Sequence, residues 1–131
     1  MALDQKKVMI VEDEPDAAEL FSEMMRISGY HVFKFLHSGP AMQALIHERP
    51  DVVLLDIMMP DASGLDVLRF IRREPALAGL PVIIISAKSL PSDISTGLDA
   101  GASIYLTKPV AFQDLKQAVD RVLEGDSTHQ I

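Results

Sequence analysis

Acidic side chains follow two apolar runs of this chain, at the point where each run ends. Glu12 and Asp13 follow the first run, and Asp56 follows the third. Ser86 and Lys108 end later apolar runs in the same way. Each residue has an ordinary explanation when taken singly, because Asp and Ser often begin turns and acidic residues favour a helix N-terminus. Together they form a set of carboxylates, a hydroxyl and an ammonium group, which suits the binding of a hard cation and covalent chemistry at an aspartate.

Whether these residues meet depends on the elements that carry them. Apolar and β-branched runs predict five strands, and apolar residues at helical spacing predict a helix after each strand. The strands are predicted at 7–11, 30–36, 52–55, 82–85 and 103–107. This alternation predicts the α/β class: a doubly wound five-stranded parallel sheet with five helices, a flavodoxin-like (βα)5 sandwich. Parallel strands deliver their carboxyl ends to one edge of the sheet, so we expect the polar residues to lie along that edge.

The ends and faces of the helices are also marked in the sequence. Pro15 suits the first turn of the first helix, and Gly29 suits its C-terminal end. Ser38 is the predicted N-cap of the second helix, and Ser63 with Asp66 matches a capping box for the third. The predicted buried stripe of the first helix comprises Ala17, Leu20, Phe21, Met24 and Met25.

The fourth helix, at about 92–100, is the weakest of the five. It carries Ser95, Thr96 and Gly97 in its interior, and a glycine alone costs a helix about 1 kcal/mol relative to alanine. The fifth helix is the clearest, because it has a full apolar stripe over 115–123 that Gly125 closes.

Composition bounds the class of protein. With 131 residues the chain is long enough for one domain, predicted to span 6–125 with a short polar tail at 126–131. The net charge of −7 argues against direct binding to nucleic acid, because there is no surplus of basic side chains to neutralise phosphates. The chain has no cysteine, and no apolar run approaches the roughly 18 residues of a membrane helix. We therefore expect no membrane partner and a cytoplasmic location.

The predicted edge carries more negative charge than one lysine balances. Two carboxylates about 5 Å apart repel by roughly 3 kcal/mol at an effective dielectric of about 20. Glu12, Asp13 and Asp56 therefore need compensation beyond Lys108. Mg²⁺ (or Mn²⁺) is the cofactor that such oxygen ligands favour, and the whole set suits phosphoryl transfer to an aspartate.

The same residues resemble those of a known family. The motifs that carry the resemblance are Glu12–Asp13, the pattern D-x-x-M-P-x-x-x-G from Asp56 through Met59 and Pro60 to Gly64, Ser86, and Lys108–Pro109. In order and spacing they resemble the receiver domain of two-component response regulators, of the chemotaxis-regulator type. The resemblance covers about 6–124.

The resemblance implies a role for each residue of the acidic group. Asp56 would be the phosphoacceptor and a metal ligand. Asp13 would bind Mg²⁺ directly, Glu12 would assist through water, and the backbone carbonyl of Met58 would be a further ligand. The backbone at Met58 and Ala87 would bind the phosphoryl group.

The resemblance also implies how the domain switches. Lys108 would hold a phosphoryl oxygen, and the peptide bond to Pro109 would be cis. Ser86 would be the switch hydroxyl, and Tyr105 would be the aromatic residue that changes rotamer with it. The weak fourth helix is the candidate for the moving element, because switching parts come from the low-stability end of a fold.

The implied function is that of a phosphorelay switch. Asp56 would accept a phosphoryl group from a sensor histidine kinase or a histidine phosphotransfer protein. The surface of the fourth helix, fifth strand and fifth helix would then change for a downstream target protein or a covalently attached effector domain. The chain would not be an enzyme beyond its own Mg²⁺-dependent phosphorylation and dephosphorylation. A phosphorylation-dependent homodimer is a further expected partner, although Ser103–Tyr105 lacks the paired acids that DNA-binding relatives often carry.

Two alternatives stay open. A degenerate receiver would act only as a protein–protein interaction module. An aspartate-nucleophile phosphatase of the haloacid dehalogenase type would need a second carboxylate two residues after Asp56, where this chain has Met58.

Overall fold

Five strands alternate with five helices in a computed structural model, which describes residues 5–59 and 63–124. The elements in chain order are β1 (Lys7–Val11), α1 (Pro15–Ile27), β2 (His31–Phe35), α2 (Ser38–Glu48), β3 (Val52–Leu55), α3 (Gly64–Arg73), β4 (Val82–Ser86), α4 (Pro91–Asp99), β5 (Ile104–Thr107) and α5 (Phe112–Leu123). Pro60, Gly125 and the predicted tail at 126–131 lie outside the described residues.

The five strands form one parallel sheet in the order β2-β1-β3-β4-β5. The central strands β3 and β4 are buried along their whole length because helices cover both faces of the sheet. The predicted doubly wound α/β fold is therefore confirmed.

Each face of the sheet has its own apolar core, and the strands contribute alternate residues to the two cores. In β3, Val53 and Leu55 pack on the face covered by α2 and α3, whereas Val52 and Leu54 pack on the face covered by α1 and α5. The period of two follows from the pleat of a strand. Gly97 is the buried residue of α4, so this helix rests on the sheet with less apolar contact than the others.

The predicted stripe of α1 is wrong at Leu20, whose side chain is 53% exposed. The buried face instead contains Ala18, Phe21, Ser22 and Met25. Leu20 satisfies the spacing rule, but a residue next to the stripe is not distinguished from one within it by spacing alone. Gly29 follows the C-cap of α1 with φ +98°, a conformation that favours glycine, so this predicted helix end is confirmed.

The predicted cap of α2 is wrong, and the predicted cap of α3 is confirmed for Ser63 but not for Asp66. Ser38 is the first residue of α2, and His37 occupies the N-cap position. Ser63 is the N-cap of α3, with Oγ accepting from the backbone N–H of Leu65 at 3.1 Å. Asp66, predicted to complete a capping box, forms an ion pair with Arg69 at 3.2 Å.

Arg72 lies near the C-terminus of α3 and donates to three backbone carbonyls beyond that helix. Its guanidinium donates to the carbonyls of Ala78 (3.0 Å) and Leu80 (2.7 Å) in the α3–β4 linker. It also donates to the carbonyl of Gly101 beyond α4, from Nη2 at 2.7 Å and from Nε at 3.0 Å. Arg72 thus ties α3 to both segments.

Across residues 5–59 and 63–124, no helix combines the length and the apolar character that a membrane crossing needs.

Ser22 generates a prediction about stability. Its Oγ is buried within the apolar face of α1 and has no hydrogen-bond partner among the described residues. A buried hydroxyl without a partner costs about 1–3 kcal/mol, and alanine is also the better helix former. Ser22→Ala is expected to raise the free energy of unfolding by about 1 kcal/mol or more, measured by urea denaturation.

Ser95→Ala on the exposed face of α4 is the matched control, because it changes helix propensity alone. Its expected gain is at most about 0.5 kcal/mol. An equal gain for the two variants would show that the Ser22 hydroxyl carries no desolvation cost.

Candidate functional site

Three carboxylates meet at the carboxyl edge of the sheet because β1 and β3 are neighbours. The backbone N–H of Asp56 donates to the carbonyl of Val11 at 3.0 Å, which places Asp56 beside the end of β1. One carboxylate oxygen from each of Glu12, Asp13 and Asp56 lies within 4.8 Å of the others. Glu12 is 2% exposed and Asp56 is 6% exposed, so much of this charge is removed from water.

Lys108 joins this group from the edge strand of the sheet. Its backbone N–H donates to the carbonyl of Ser86 at 2.8 Å, which brings its side chain across the end of β4. The ammonium lies 2.7 Å from Oε1 of Glu12 and 3.2 Å from Oδ2 of Asp56. It also stands 6.0 Å above the centre of the Phe21 ring. Lys108 therefore bridges two carboxylates, and Glu12 is the nearer partner.

Burial and neighbouring charges shift the pKa values of Glu12 and Lys108. Burial, with the nearby Asp56 charge, raises the pKa of Glu12, although hydrogen bonds from Lys108 and from the backbone of Glu14 oppose the shift. Burial by itself would lower the pKa of Lys108, but its contacts with Glu12 and Asp56 outweigh it and the pKa is raised. The lysine is thus held as a cation inside the acidic group.

The loop after β3 holds the second oxygen of Asp56. The backbone N–H of Met58 donates to Oδ1 of Asp56 at 2.9 Å. This orients the carboxylate, with one oxygen toward Met58 and the other toward Lys108. The Met58 side chain itself is exposed. The roles of the Met58 carbonyl as a metal ligand and of the Met58 and Ala87 backbone as a phosphoryl cradle stay predictions.

Ser86 and Tyr105 both contact one residue of the β4–α4 loop. The Oγ of Ser86, the buried last residue of β4, accepts from the backbone N–H of Lys88 at 3.1 Å. The hydroxyl of Tyr105 donates to the carbonyl of Lys88 at 2.8 Å. Burial raises the pKa of Tyr105, and the charges of Asp93 and Asp56 add to the shift. The structure thus connects the two predicted switch residues through the backbone of Lys88. The sequence did not indicate a role for the Lys88 carbonyl.

The remaining predicted residues border this group. Ala87 lies between Ser86 and Lys88 and is exposed. The peptide bond between Lys108 and Pro109 is cis, the geometry that the resemblance implies.

Gly64 sets the distance between α3 and the backbone of Asp56. A Cβ atom at Gly64 would lie 2.3 Å from the carbonyl oxygen of Asp56 and 2.6 Å from Cα of Ile57. Backbone atoms cannot rotate away as a side chain can. The first residue of α3 must therefore be a glycine if Asp56 and the loop after it are to keep this position.

The donor set of the acidic group fits a hard divalent cation. All three side chains offer carboxylate oxygens, which suit Mg²⁺ or Mn²⁺ rather than softer metals. The three charges exceed what Lys108 neutralises, so a cation would also relieve their repulsion.

Comparisons with known proteins agree with the fold and the motifs. The family model of the response regulator receiver domain matches residues 8–120. The chain is 34% identical to the protein PilH of Pseudomonas aeruginosa, over 91% of this chain and 98% of that protein. It is 42% identical to a probable transcriptional regulatory protein, TcrX, of Mycobacterium tuberculosis, over 82% of this chain but only 45% of that protein. The chain thus spans nearly all of one relative and less than half of the other.

Solved structures give the same result. A putative response regulator from Chloroflexus aurantiacus superposes with a TM-score of 0.89 at 28% identity, over 92% of this chain and 99% of that one.

Gly64 provides a test of the backbone contact. Gly64→Ala forces α3 away from Asp56, and overpacking of this kind typically costs about 1–3 kcal/mol. We expect the free energy of unfolding to fall by about 2 kcal/mol or more, measured by urea denaturation followed by circular dichroism.

Gly39→Ala is the matched control for this variant, since a Cβ atom at Gly39 in α2 meets nothing within 4 Å. It should leave stability unchanged or raise it by up to about 1 kcal/mol. A Gly64→Ala protein as stable as the control would refute the close approach.

Proposed function

The chain belongs to the response regulator receiver family, and from this membership we propose that it accepts a phosphoryl group on Asp56. The observation that carries the proposal is the position of the Lys108 ammonium, 3.2 Å from Oδ2 of Asp56 within a group of three carboxylates. A carboxylate with a fixed cation beside it and its other oxygen bound by a backbone N–H is oriented for attack at phosphorus.

In the proposed step, an oxygen of Asp56 forms a bond to phosphorus while the bond from phosphorus to the donor breaks. The leaving group departs with the electron pair: the imidazole nitrogen of a phosphohistidine, or the acetate oxygen of acetyl phosphate. Lys108 would follow the new negative charge, since it already lies between Asp56 and Glu12. Hydrolysis of the acyl phosphate would return the carboxylate.

Glu12, Asp13 and Asp56 would hold Mg²⁺ or Mn²⁺, with the Met58 carbonyl as a further ligand. The bound cation would supply charge neutralisation for the oxygens of the phosphoryl group. The carboxylate donor set and the excess of negative charge support this assignment.

We further propose that the modification is read through Ser86 and Tyr105. Phosphorylation adds nearly two negative charges at an edge that is already acidic. Both hydroxyls bind the loop residue Lys88, so a turn of Ser86 toward the phosphoryl group would release one of the contacts that hold the start of α4. The surface of α4, β5 and α5 would then differ between the two states.

The proposed phosphodonor is a sensor histidine kinase or a histidine phosphotransfer protein. An apolar cleft of about 400 Å³, lined by Ala17, Leu20, Phe21, Lys108, Pro109 and Val110, opens beside the site. The exposure of Leu20 has a functional explanation if this cleft receives an apolar part of the donor.

On the output side we propose a target protein or an attached effector domain in the cytoplasm, with no direct contact to nucleic acid. TcrX, which is more than twice as long as the part that matches this chain, is named as a transcriptional regulatory protein. A phosphorylation-dependent homodimer stays part of the proposal.

We propose that the chain catalyses only its own phosphorylation and dephosphorylation. Two observations weigh against a degenerate receiver and against a phosphatase. The contacts of Lys108 with Glu12 and Asp56 are intact, which a degenerate receiver would not need. Met58 stands where a phosphatase of the haloacid dehalogenase type would carry its acid.

Phosphorylation is tested with acetyl phosphate and Mg²⁺, followed by intact mass spectrometry. The protein is expected to gain the mass of one phosphoryl group, and EDTA is expected to abolish the gain. Asp56→Asn removes the nucleophile and should gain nothing, whereas Asp99→Asn, an exposed change in α4, should label like the parent. Labelling of Asp56→Asn would overturn the assignment.

Metal binding is tested through its linkage to stability. At about 100 times its dissociation constant, a ligand that binds only the folded state stabilises it by about 2.7 kcal/mol. We expect Mg²⁺ to raise the urea midpoint at constant ionic strength, and Asp13→Asn to lose most of this increment.

Asp16→Asn is the control for this experiment, because it removes the same charge from an exposed position in the first turn of α1. If both variants kept the increment, or both lost it, the cation would not be bound by the acidic group.

A further inference from the structure

We propose that Gly97 is a positioning residue of the switch: the absence of a side chain at this point of α4 forms a slot for the ring of Tyr105, so that the helix and the ring move as one element. The inference rests on the proposed function, in which Tyr105 reports the state of Asp56. In the sequence alone, Gly97 is recognised only as a residue that weakens a helix.

The slot is defined by three close distances. A Cβ atom at Gly97 would lie 2.8 Å from Cδ2 and 3.0 Å from Cε2 of Tyr105, and 2.8 Å from Cδ1 of Ile84. Ile84 is fully buried in the centre of the sheet, so its side chain has little room to yield. With Ile84 fixed, a side chain at 97 displaces the Tyr105 ring or lifts α4 from the sheet.

The same ring position controls the loop before α4. With its ring in the slot, Tyr105 donates its hydroxyl to the carbonyl of Lys88 at 2.8 Å. The backbone N–H of Lys88 is bound by Ser86 Oγ. Tyr105 therefore contacts α4 at Gly97 and also contacts the loop that leads into Pro91.

The rest of α4 offers little to hold it if the ring leaves. Gly97 is its buried residue, and its first turn is closed by Asp93 accepting from the backbone N–H of Leu90. Beyond its C-terminus, Gly101 is fixed by Arg72. The helix is thus anchored at its C-terminal side, while its middle and its start depend on Tyr105. This arrangement suits a helix that shifts at one end when the ring changes rotamer.

The test uses Tyr105 as its own reporter. The chain has two tyrosines and no tryptophan, so Tyr30→Phe leaves Tyr105 as the single emitting residue. Tyr30 lies away from the site, where its hydroxyl binds Asp120 on α5. Acrylamide quenching of the fluorescence is measured in this background with and without Mg²⁺ and acetyl phosphate, and Asp56 labelling is followed by mass in the same samples.

In the Tyr30→Phe parent, Tyr105 is expected to be partly protected from acrylamide, with a quenching constant that changes on labelling. Adding Gly97→Ala is expected to raise the constant, without phosphodonor, toward that of the urea-unfolded chain, and to abolish its response to labelling. Gly39→Ala adds the same methyl group in open space and should leave both readouts as in the parent.

The outcomes separate this inference from the proposed function. If the parent never gains a phosphoryl group, the proposed function fails, while the comparison without phosphodonor still tests the slot. If Gly97→Ala quenches like the parent, the slot does not position the ring and the inference is overturned.

A pair of double variants covers the case in which Gly97→Ala alone does not fold stably. Gly97→Ala with Tyr105→Ala removes the ring and is expected to recover the thermal midpoint of Tyr105→Ala alone. Gly97→Ala with Ile84→Val removes the third close atom and is expected to recover less. Absence of recovery in the first variant, or a larger recovery in the second, would show that the slot serves core packing and would overturn the inference.

Discussion

The carboxylates that the parallel sheet collects at one edge are the constraint on which the rest of this structure depends. Because β1 and β3 are neighbours, Glu12, Asp13 and Asp56 come within 4.8 Å of one another, where a pair of charges repels by about 3 kcal/mol at an intermediate dielectric. One ammonium, that of Lys108, is shared between two of them. An edge balanced in this way is sensitive to any added charge, because a single ammonium is divided between two carboxylates.

Two glycines and one arginine fix the helices that surround this edge. Gly64 lets α3 begin against the carbonyl of Asp56, and Gly97 lets α4 lie against the ring of Tyr105. Both contacts require the absence of a Cβ atom. Arg72 acts beyond the C-terminus of α4, where its hydrogen bonds to the carbonyl of Gly101 hold the turn into β5. The site and the surface of α4 are thus connected through these packing distances and through the hydrogen bonds of Ser86 and Tyr105 to Lys88.

The sequence was most reliable where a signal is repeated along an element and least reliable where it rests on one position. The alternation of strands and helices predicted the sheet, and the strand ends predicted the acidic group. Leu20 fitted the helical spacing of α1 but is exposed, because spacing does not tell where the core begins. Ser38 has the residue type of an N-cap but lies inside α2, since a cap is defined by backbone conformation. Asp66 fits the spacing of a capping box, but it pairs with Arg69.

By itself, the sequence determined the fold class and the residues that come to the carboxyl edge, because the alternation of strands and helices and the hydrophobic period are written locally along the chain. Only the tertiary structure decided how those residues pair. Glu12 is nearer to Lys108 than Asp56 is. The backbone of Lys88 donates to Ser86 and accepts from Tyr105. The structure also reversed the meaning of Gly97. In the sequence this glycine weakens a helix, whereas in the structure the absence of its side chain leaves room for the ring of Tyr105. Distances between elements depend on packing, and no local pattern encodes them.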